Sequence, residues 1–315
     1  MSFRLFIYYC TVCGGCAAYL GWALGRLITA AVTVGDFIFE KDVWEMGLEG
    51  LALGLLLSFG LAVMDSAWNL SLARIPAAIL RVIFACVVGT VGGLIGGLIG
   101  QWLFDKWNVT FLMVFGWTFT GFLIGISLGV FDNVAAFALQ KNVRGAVRKL
   151  INVIIGGTIG GAVGGILSVL LGTGLYRLIK APIEPGSLWS PSAIGFVVLG
   201  MCIGLMIAVA QVILREAWIK IEVGKRQGKQ LILQKQETTI GRAESCELGL
   251  FGDSGIERQH ARLVQEGNGY LLVDLGTPGG TFINGERVDG PTRLQSGDRI
   301  QVGQTILRFS ERRKR

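Results

Sequence analysis

The sequence is poor in charged residues, histidine and proline. Of its 315 residues only 16% are charged, one is histidine and six are proline, whereas about 25% of a soluble globular domain is charged. The single histidine, His260, leaves no second histidine for a His-based catalytic pair. The glycine runs lack the Lys-Ser/Thr of a phosphate-binding loop, and no nucleophile and base stand in a recognisable pair. We therefore expect neither an enzyme nor a bound cofactor.

A cleavable signal sequence is also absent, because the first apolar stretch is not followed by a small-residue cleavage site and a polar mature chain. This stretch is instead the first of six, each close to the 20 apolar residues that cross the hydrocarbon core of a bilayer. Helices satisfy their backbone hydrogen bonds internally, as lipid requires. We predict a transmembrane bundle over residues 1–222 with six spans, at 6–28, 47–69, 82–104, 110–131, 150–176 and 193–214.

The connecting segments differ in charge, and the difference predicts the orientation. The first is mainly acidic, with Asp36, Glu40, Asp42, Glu45 and Glu49. The second, the fourth and the stretch after the last span are basic, with Arg74, Arg81, Lys141, Arg144, Arg148, Lys149, Arg215, Lys220, Lys225, Arg226 and Lys229. Basic loops stay in the cytoplasm, so both termini are predicted to be cytoplasmic, in a cell or inner membrane. The net charge of +7 is assigned to these loops rather than to nucleic-acid binding. Residues 75–82 and 143–151 are expected to form short amphipathic helices on the membrane surface.

A glycine-rich frame recurs in the apolar half. GTVGGLIGG stands at residues 89–97, GTIGGAVGG at 157–165 and CTVCGGCAA at 10–18. Small residues spaced four apart form grooves that let helix backbones approach closely. The pattern predicts three parallel two-helix repeats, in which each odd-numbered helix contacts two neighbours.

The same frame bears on three cysteines and three polar residues. Cys10, Cys13 and Cys16 have a spacing found in metal sites, but they occupy the small-residue slots and have no fourth ligand nearby. They are interpreted as packing residues, and no metal site is predicted. Asp65, Asp132 and Gln211 each follow a glycine (Gly54, Gly121 and Gly200) by 11 residues. They form a candidate intramembrane polar site, either a proton or cation relay or a set of helix-end and interhelical hydrogen bonds.

After residue 222 the pattern changes to short alternating runs separated by turn residues. Asn284-Gly285 between two such runs is a strong signal for a type I′ hairpin. Many short strands at this spacing predict an all-β sandwich over residues 223–315. The predicted strands are 230–235, 238–241, 261–265, 270–275, 281–283 and 305–309.

Four separated motifs in this region resemble the forkhead-associated (FHA) domain family. They are TIGRAESCELGL, GIERQHARL, DLGTPGGTFINGERV and LQSGDRIQVGQTILRF, which together cover about residues 229–311. The resemblance implies a small β-sandwich whose loops at one end bind phosphothreonine peptides. The multi-span half resembles no family in this way.

The family's functional residues are only partly present. Gly241-Arg242 matches the pair whose arginine contacts phosphate, and a guanidinium suits that role. His260 matches the structural histidine that braces the loops. The phosphate-binding serine is replaced by Glu257, and the peptide-holding asparagine by Gly279. Arg258 and Thr281 are assigned to phosphopeptide binding with Arg242, while Gly241, His260, Asn284 and Gly285 are assigned to the scaffold.

Two functions remain open at this point. The first is a membrane-anchored recognition adaptor whose cytoplasmic FHA module docks a protein, either phosphorylated on threonine or not. The second is a transporter or channel built from the repeats and regulated by that module. The predicted partners are the lipid bilayer, a cytoplasmic protein or phosphoprotein and, as a homo-oligomer, a second copy of the chain.

Overall fold

The computed structural model describes residues 3–31, 40–68, 75–138, 143–179, 190–214, 217–233, 237–267 and 269–312. The charges Asp36, Arg74, Lys141 and Arg215, on which the orientation prediction drew, lie outside the described residues.

The first two thirds of the chain form helices that are long and apolar enough, by length and composition, to cross a membrane. The described residues contain six of them: α1 (Phe3–Ala31), α2 (Lys41–Trp68), α3 (Ile75–Trp107), α4 (Met113–Ala138), α5 (Val143–Ile179) and α6 (Pro191–Ile213). The last begins with a defined cap, because the Ser190 side chain accepts from the Ala193 N–H at 3.2 Å and proline follows at the first helical position. The separate surface helices predicted at 75–82 and 143–151 are wrong, since these residues are the first turns of α3 and α5.

The six helices pack in a closed ring. Each helix contacts the next in the chain, and α1 contacts α6. In the 18-residue apolar segment of each helix, 50 to 56% is buried in α2, α4 and α6, against 33 to 44% in α1, α3 and α5. Near the centre, α2 and α4 also touch, where the fully buried hydroxyls of Ser58 and Ser127 lie 3.3 Å apart. The even-numbered helices therefore form the interior and the odd-numbered helices the outside.

Glycines bring the backbones of neighbouring helices into contact. On α3, Gly89 and Gly93 face α2, whereas Gly92 and Gly96 face α4. A Cβ added at Gly93 would strike the carbonyl oxygen of Gly50. Close backbone approach of this kind is the packing that small residues spaced four apart allow.

Three of the six helix pairs share one type of contact. Gly54 of α2 meets the carbonyl of Gly89, Gly121 of α4 meets that of Gly157 in α5, and Gly200 of α6 meets that of Gly14 in α1. The contact between α6 and α1, which closes the ring, is therefore made in the same way as the two before it.

The cysteines of α1 point toward different surroundings. Cys10 is buried, and its carbonyl lies where a Cβ on Gly204 of α6 would be. The Cys13 sulfur lies 2.9 Å from the position of a Cβ on Gly60 of α2, and Cys16 is exposed. Cys10 and Cys13 thus act as helix-contact residues, as the packing interpretation expected.

The last third of the chain is a β-sandwich of two sheets. One has the strand order β2-β1-β11-β10-β7-β8 and the other β4-β3-β5-β6-β9. The strands are β1 (Ala217–Val223), β2 (Gln230–Ile232), β3 (Glu237–Gly241), β4 (Leu248–Gly249), β5 (Ala261–Glu266), β6 (Gly269–Asp274), β7 (Thr281–Ile283), β8 (Glu286–Arg287), β9 (Thr292–Arg293), β10 (Arg299–Val302) and β11 (Thr305–Glu311). Inward side chains such as Ile219, Phe309 and Leu272 are fully buried between the sheets.

Two features of the sandwich bear on the sequence predictions. Strand β1 begins at Ala217 and pairs with β11 along its length, so the predicted boundary at residue 222 falls inside a strand of the sandwich. The hairpin predicted at Asn284-Gly285 is confirmed, because β7 and β8 pair across it and both residues have positive φ, 53° and 93°.

Candidate functional site

The strand register brings the residues of the FHA-like motifs to one end of the sandwich, which we call the apical end. Ile240 at the end of β3 pairs with Ala261 at the start of β5, and Ala261 pairs with Asp274 at the end of β6. The segments just beyond these positions, which carry Arg242, His260 and the loop 275–280, therefore meet. Leu233, Gln265 and Tyr270 lie at the opposite end, the basal end.

Arg242 presents its side chain to solvent while its backbone is held in place. Its N–H donates to the Glu257 carbonyl at 2.9 Å, and a Cβ at Gly241 would strike the Arg258 carbonyl, so the close approach requires a glycine. The Arg242 guanidinium is 3.9 Å from the Glu257 carboxylate, and both side chains are 48% exposed. Arg258 is exposed beside them. The apical surface therefore offers two guanidinium groups and one competing carboxylate.

His260 ties the two apical loops together from beneath. It is fully buried, and its Nδ1 accepts from the Glu257 N–H at 3.1 Å. Its Nε2 lies 3.1 Å from the Gly280 carbonyl and 3.0 Å from the Thr277 hydroxyl. Because Nδ1 accepts, the proton is on Nε2 and is donated to Gly280. The histidine thus holds a bracing position.

Asp274 is a second brace, which the sequence did not reveal. Its carboxylate accepts from the Thr281 hydroxyl at 2.6 Å, the Thr277 hydroxyl at 3.0 Å and the Gly276 N–H at 2.9 Å. Burial raises the pKa of Asp274, but these hydrogen bonds to the charged form outweigh it and hold the pKa below its ordinary value. The loop that should contact a peptide is therefore shaped by an ionised carboxylate.

Two residues assigned to the site are engaged elsewhere. Thr281 was predicted to contact the phosphopeptide, but it is fully buried and its hydroxyl donates to Asp274, so it is not available to a peptide. The Asn284 side chain donates to Asp298 at 2.9 Å and accepts from the Arg299 N–H at 2.9 Å. Asn284 therefore stabilises its hairpin, as expected of a scaffold residue.

Gly279 leaves room in the position where the family has asparagine. A Cβ there would have its nearest neighbour, the Gly255 carbonyl, at 3.4 Å, which is ordinary van der Waals contact. The missing side chain has thus left space on the apical surface, and the backbone conformation does not require glycine.

In the helical half, two buried and two partly buried charged residues from four helices form a cluster, the ion layer. Lys149 of α5 contacts Asp65 of α2 at 2.5 Å and Asp132 of α4 at 2.9 Å. Arg81 of α3 pairs with Asp132 and lies 3.7 Å from Asp65. The side chains of Asp65 and Lys149 are each 4% exposed. Two acids and two bases therefore balance in the interior.

The sequence anticipated the acids of this layer but not the bases. Arg81 and Lys149 were assigned to loops, yet each precedes its glycine frame, at Gly89 and Gly157, by eight residues. That shared offset was the available signal. Gln211, the third predicted polar residue, is buried and lines a cleft with Lys149.

The ion layer adjoins the basal end of the sandwich. The cleft that contains Lys149 and Gln211 is also lined by Leu233 and Tyr270. The Arg312 side chain donates to the carbonyl of Ile213, the last residue of α6, at 2.9 Å. The apical end, with Arg242, therefore points away from the helices.

Comparison with known proteins identifies the sandwich. Residues 238–303 match the FHA domain family, so the C-terminal region contains an FHA domain. The glycogen accumulation regulator GarA of Mycolicibacterium smegmatis is 32% identical over 93 residues, which cover 30% of this chain and 58% of that protein. The oxoglutarate dehydrogenase inhibitor of Corynebacterium jeikeium is 31% identical over 93 residues, 30% of this chain and 63% of that protein. The chain thus spans less than two thirds of the length of these relatives, which are named as a regulator and an inhibitor.

Among solved structures, the FhaA FHA domain in complex with the intracellular domain of Rv3910 is 26% identical. The match covers 30% of this chain and 98% of that one, with a TM-score of 0.27. An FHA domain analysed for phosphothreonine-dependent interactions is 25% identical, covering 31% of this chain and 99% of that one, with a TM-score of 0.29.

Proposed function

We propose that this protein is a membrane-anchored docking protein, whose six helices span the bilayer and whose FHA domain binds a phosphothreonine-bearing protein at the cytoplasmic face. The observation that carries the proposal is the direction of the apical end. The half-exposed Arg242 and the exposed Arg258 lie at the end of the sandwich that is far from the helices, where a protein partner has free access.

Insertion in the bilayer is supported by the side chains on the outside of the bundle. Ile83, Phe84, Val87 and Val91 of α3 are exposed along successive turns, an arrangement suited to lipid and not to water. At the other end of α3, Lys106 lies 5.0 Å from the Trp102 ring and 4.9 Å from the Trp107 ring. Exposed tryptophans with a nearby cation are typical of the membrane interface.

A cytoplasmic FHA domain is supported by the charges at the end of the bundle that it adjoins. Arg148, which is not a member of the ion layer, lines the same cleft as Tyr270. The pKa of Tyr270 is raised to about 12, mainly by burial and also by the charge of Glu311. The positive charge of Arg148 acts in the opposite direction and lowers this pKa. Basic residues gather at the cytoplasmic end of a membrane protein, so the sandwich and both termini belong on that side.

The bundle is interpreted as three parallel two-helix repeats joined by glycine contacts, a glycine zipper. The three like contacts of Gly54, Gly121 and Gly200 support this interpretation, as does the alternation of inner and outer helices. Such a bundle is a rigid platform for the domain that follows it. The apical residues Arg242 and Arg258 would bind phosphate by charge-assisted hydrogen bonds.

The test uses the full-length chain in lipid nanodiscs, incubated with a phosphothreonine peptide library and with the same library unphosphorylated. We expect phosphorylated peptides to be retained and Arg242→Gln to release them. Arg293→Gln is the matched control, because Arg293 is an exposed cation on β9 near the basal end. Equal retention of both libraries, or unchanged retention by Arg242→Gln, would contradict phosphothreonine docking.

The membrane part has a separate test. A green fluorescent protein fused after Arg315 should fluoresce, and alkaline phosphatase at the same place should be inactive. The reverse pattern, or a chain that stays in solution without detergent, would contradict the cytoplasmic orientation or the membrane anchor.

The alternative transporter function has weaker support. Asp65 and Asp132 lie in salt bridges with Lys149 and Arg81, and α2 meets α4 near the centre of the ring. A relay needs a carboxylate that can change its partner or its proton, whereas here each acid is matched by a base.

A further inference from the structure

Three of the basic residues that suggested a membrane-proximal segment lie far from the helices. Lys225, Arg226 and Lys229 follow β1, whose first residue, Ala217, is at the basal end. A strand of seven residues extends about 20 Å, so these cations belong to the apical end. Their positive charges are too far from the helix ends to keep an adjoining loop in the cytoplasm.

Two of these cations line a groove, the apical groove, between the loop after β1 and the loop after β4. The groove has a volume of about 180 Å³ and is lined by Val223, Lys225, Arg226, Phe251, Asp253 and Thr305, among others. Arg226 lies over the Phe251 ring, 4.5 Å from its centre, and donates to the Gly249 carbonyl at 3.3 Å. The ring contact and the hydrogen bond hold the guanidinium at the wall of the groove, and among the described residues its other N–H groups have no acceptor.

The acids near the groove are already occupied. Asp253 accepts from the Gly255 N–H at 3.0 Å and from the Gln304 N–H at 2.8 Å. Glu222 pairs with Arg299 at 3.2 Å and Arg308 at 3.3 Å. In the described part of the chain, no salt bridge joins Lys225 or Arg226 to a carboxylate. Among the described residues, the lining therefore holds two cations, Lys225 and Arg226, against one carboxylate, Asp253, and its net charge is positive.

Electrostatics within the domain point in the same direction. The pKa of Lys229 is lowered, first by burial and then by the charge of Arg226. Like charges repel each other here, and an anion in the groove would relieve that repulsion.

We propose that the apical groove is a second docking site of the FHA domain, and that it binds an acidic segment of a partner protein through Arg226 and Lys225. An aromatic or aliphatic side chain beside the acid packs on Phe251, which is 37% exposed. A peptide is the occupant, because the groove faces away from the helices and, in the membrane-anchored arrangement proposed above, lies about 20 Å from the bilayer surface.

This site is separate from the phosphothreonine site. It uses no side chain of the Arg242 surface, although the two are neighbours: Gly249, whose carbonyl receives Arg226, pairs with Gly241 on the adjacent strand. The proposal therefore stands or falls independently of phosphothreonine docking.

The test measures binding to the full-length chain in neutral phosphatidylcholine nanodiscs by fluorescence anisotropy. The probes are two labelled peptides, (Glu-Phe-Gly)4 and (Gln-Phe-Gly)4, at low salt. We expect the glutamate peptide to bind at least tenfold more tightly, and Arg226→Gln to remove about tenfold of its affinity. Arg226→Lys keeps the charge but replaces the guanidinium over the Phe251 ring, so its loss should be intermediate. Arg293→Gln, which removes an equal charge near the basal end, should change binding less than twofold.

Equal losses in Arg226→Gln and Arg293→Gln would overturn the proposal, since the effect would then come from net charge alone. Equal binding of the two peptides would overturn it as well. So would Arg226-dependent binding of inorganic phosphate, or of phosphatidylserine vesicles, without a preference for the glutamate peptide. Phe251→Leu is the second variant, and it keeps an apolar wall in the groove. We expect it to lower the affinity for the glutamate peptide two- to fivefold and to leave the circular dichroism of the protein unchanged.

Discussion

The helices of the bundle touch through their backbones, whereas the two sheets of the sandwich touch through large side chains. Gly50 and Gly93 bring main-chain atoms of α2 and α3 together, while Ile219, Leu272 and Phe309 fill the space between the sheets. A side-chain core absorbs a change of volume by repacking, but a backbone contact has no rotamer to change. The bundle should therefore tolerate substitution at its contacts less well than the sandwich does.

The two regions also differ in how they bury polar groups. The bundle buries whole charges that pair with each other, as with Lys149 between Asp65 and Asp132. The sandwich buries neutral groups around a partly exposed carboxylate, as with His260, Thr281 and Asp274. Removing one member of a buried ion set leaves an uncompensated charge and is the more damaging change. Four predictions follow this contrast from the largest expected effect to the smallest.

A leucine at Gly93 should prevent the bundle from assembling. Its Cβ would meet the carbonyl oxygen of Gly50, and overpacking against a backbone should cost more than about 3 kcal/mol. Fluorescence-detected size-exclusion chromatography of a tagged chain should show aggregation. Gly174→Leu is the control, because nothing lies within 4 Å of a Cβ at Gly174. A monodisperse Gly93→Leu protein would contradict the contact.

Lys149→Met should destabilise the bundle by about 3–5 kcal/mol, since it leaves two buried carboxylates with one base. The measurement is the thermal midpoint of the chain in detergent. Adding Asp65→Asn to Lys149→Met should restore part of the loss. Lys41→Met, at an exposed lysine paired with Glu45, should have an effect below about 1 kcal/mol. Equal effects at Lys41 and Lys149 would mean that the ion layer is not a buried unit.

Asp274 should make the sandwich sensitive to acid. Its folded-state pKa lies below the ordinary value, so its contribution is complete above the unfolded pKa and is lost as the pH falls through the folded one. The protection factors of the β5 and β6 amides, which correct for the slower intrinsic exchange in acid, should fall below about pH 4. Asp274→Asn should lower the stability at pH 7 by about 2 kcal/mol and flatten this dependence. Asp289→Asn, at an exposed loop residue, is the control that should keep it.

Restoring the family's residues at the apical end should strengthen phosphothreonine binding. Glu257→Ser removes the carboxylate that competes for Arg242 at 3.9 Å, and an exposed pair of this kind is worth up to about 1 kcal/mol, or about fivefold. Gly279→Asn adds a side chain where there is room for it. Anisotropy with a phosphothreonine peptide measures both changes, and Glu244→Ser, an exposed acid near Arg242, is the control. A gain of the same size at Glu244 would point to net charge instead.

Patterns within one helix or one strand were predictable from the sequence. The glycines of α3 were expected to form two faces, and Gly89 and Gly92 do contact different helices. The strand Thr281–Ile283 was placed at its observed bounds, because the turn after it has a strong local signature. Each of these predictions depends on neighbours along the chain, which a single sequence displays.

Contacts between distant segments were not predictable in the same way. Lys149 and Asp65 are separated by 84 positions. Lys149 stands in a run of basic residues that is typical of a loop, and only the structure shows that α5 begins before it, at Val143. Strand β1 was missed because Trp218 and Ile219 follow directly on an apolar span, although Lys220 and Glu222 alternate with apolar residues there. Thr281 was assigned to a ligand because its motif is known, while its actual partner, Asp274, lies seven residues earlier.

The short connection between α6 and β1 has one more consequence. The helix ends at Ile213, the strand begins at Ala217, and Arg312 fastens the far end of the chain back onto that junction. Because this connection is short, the domain would hold its apical end at a fixed distance, about 20 Å, from the surface of a bilayer. A partner rooted in the same membrane would then need a tether of about seven extended residues before its recognition segment, and a shorter tether would never reach, whatever its sequence.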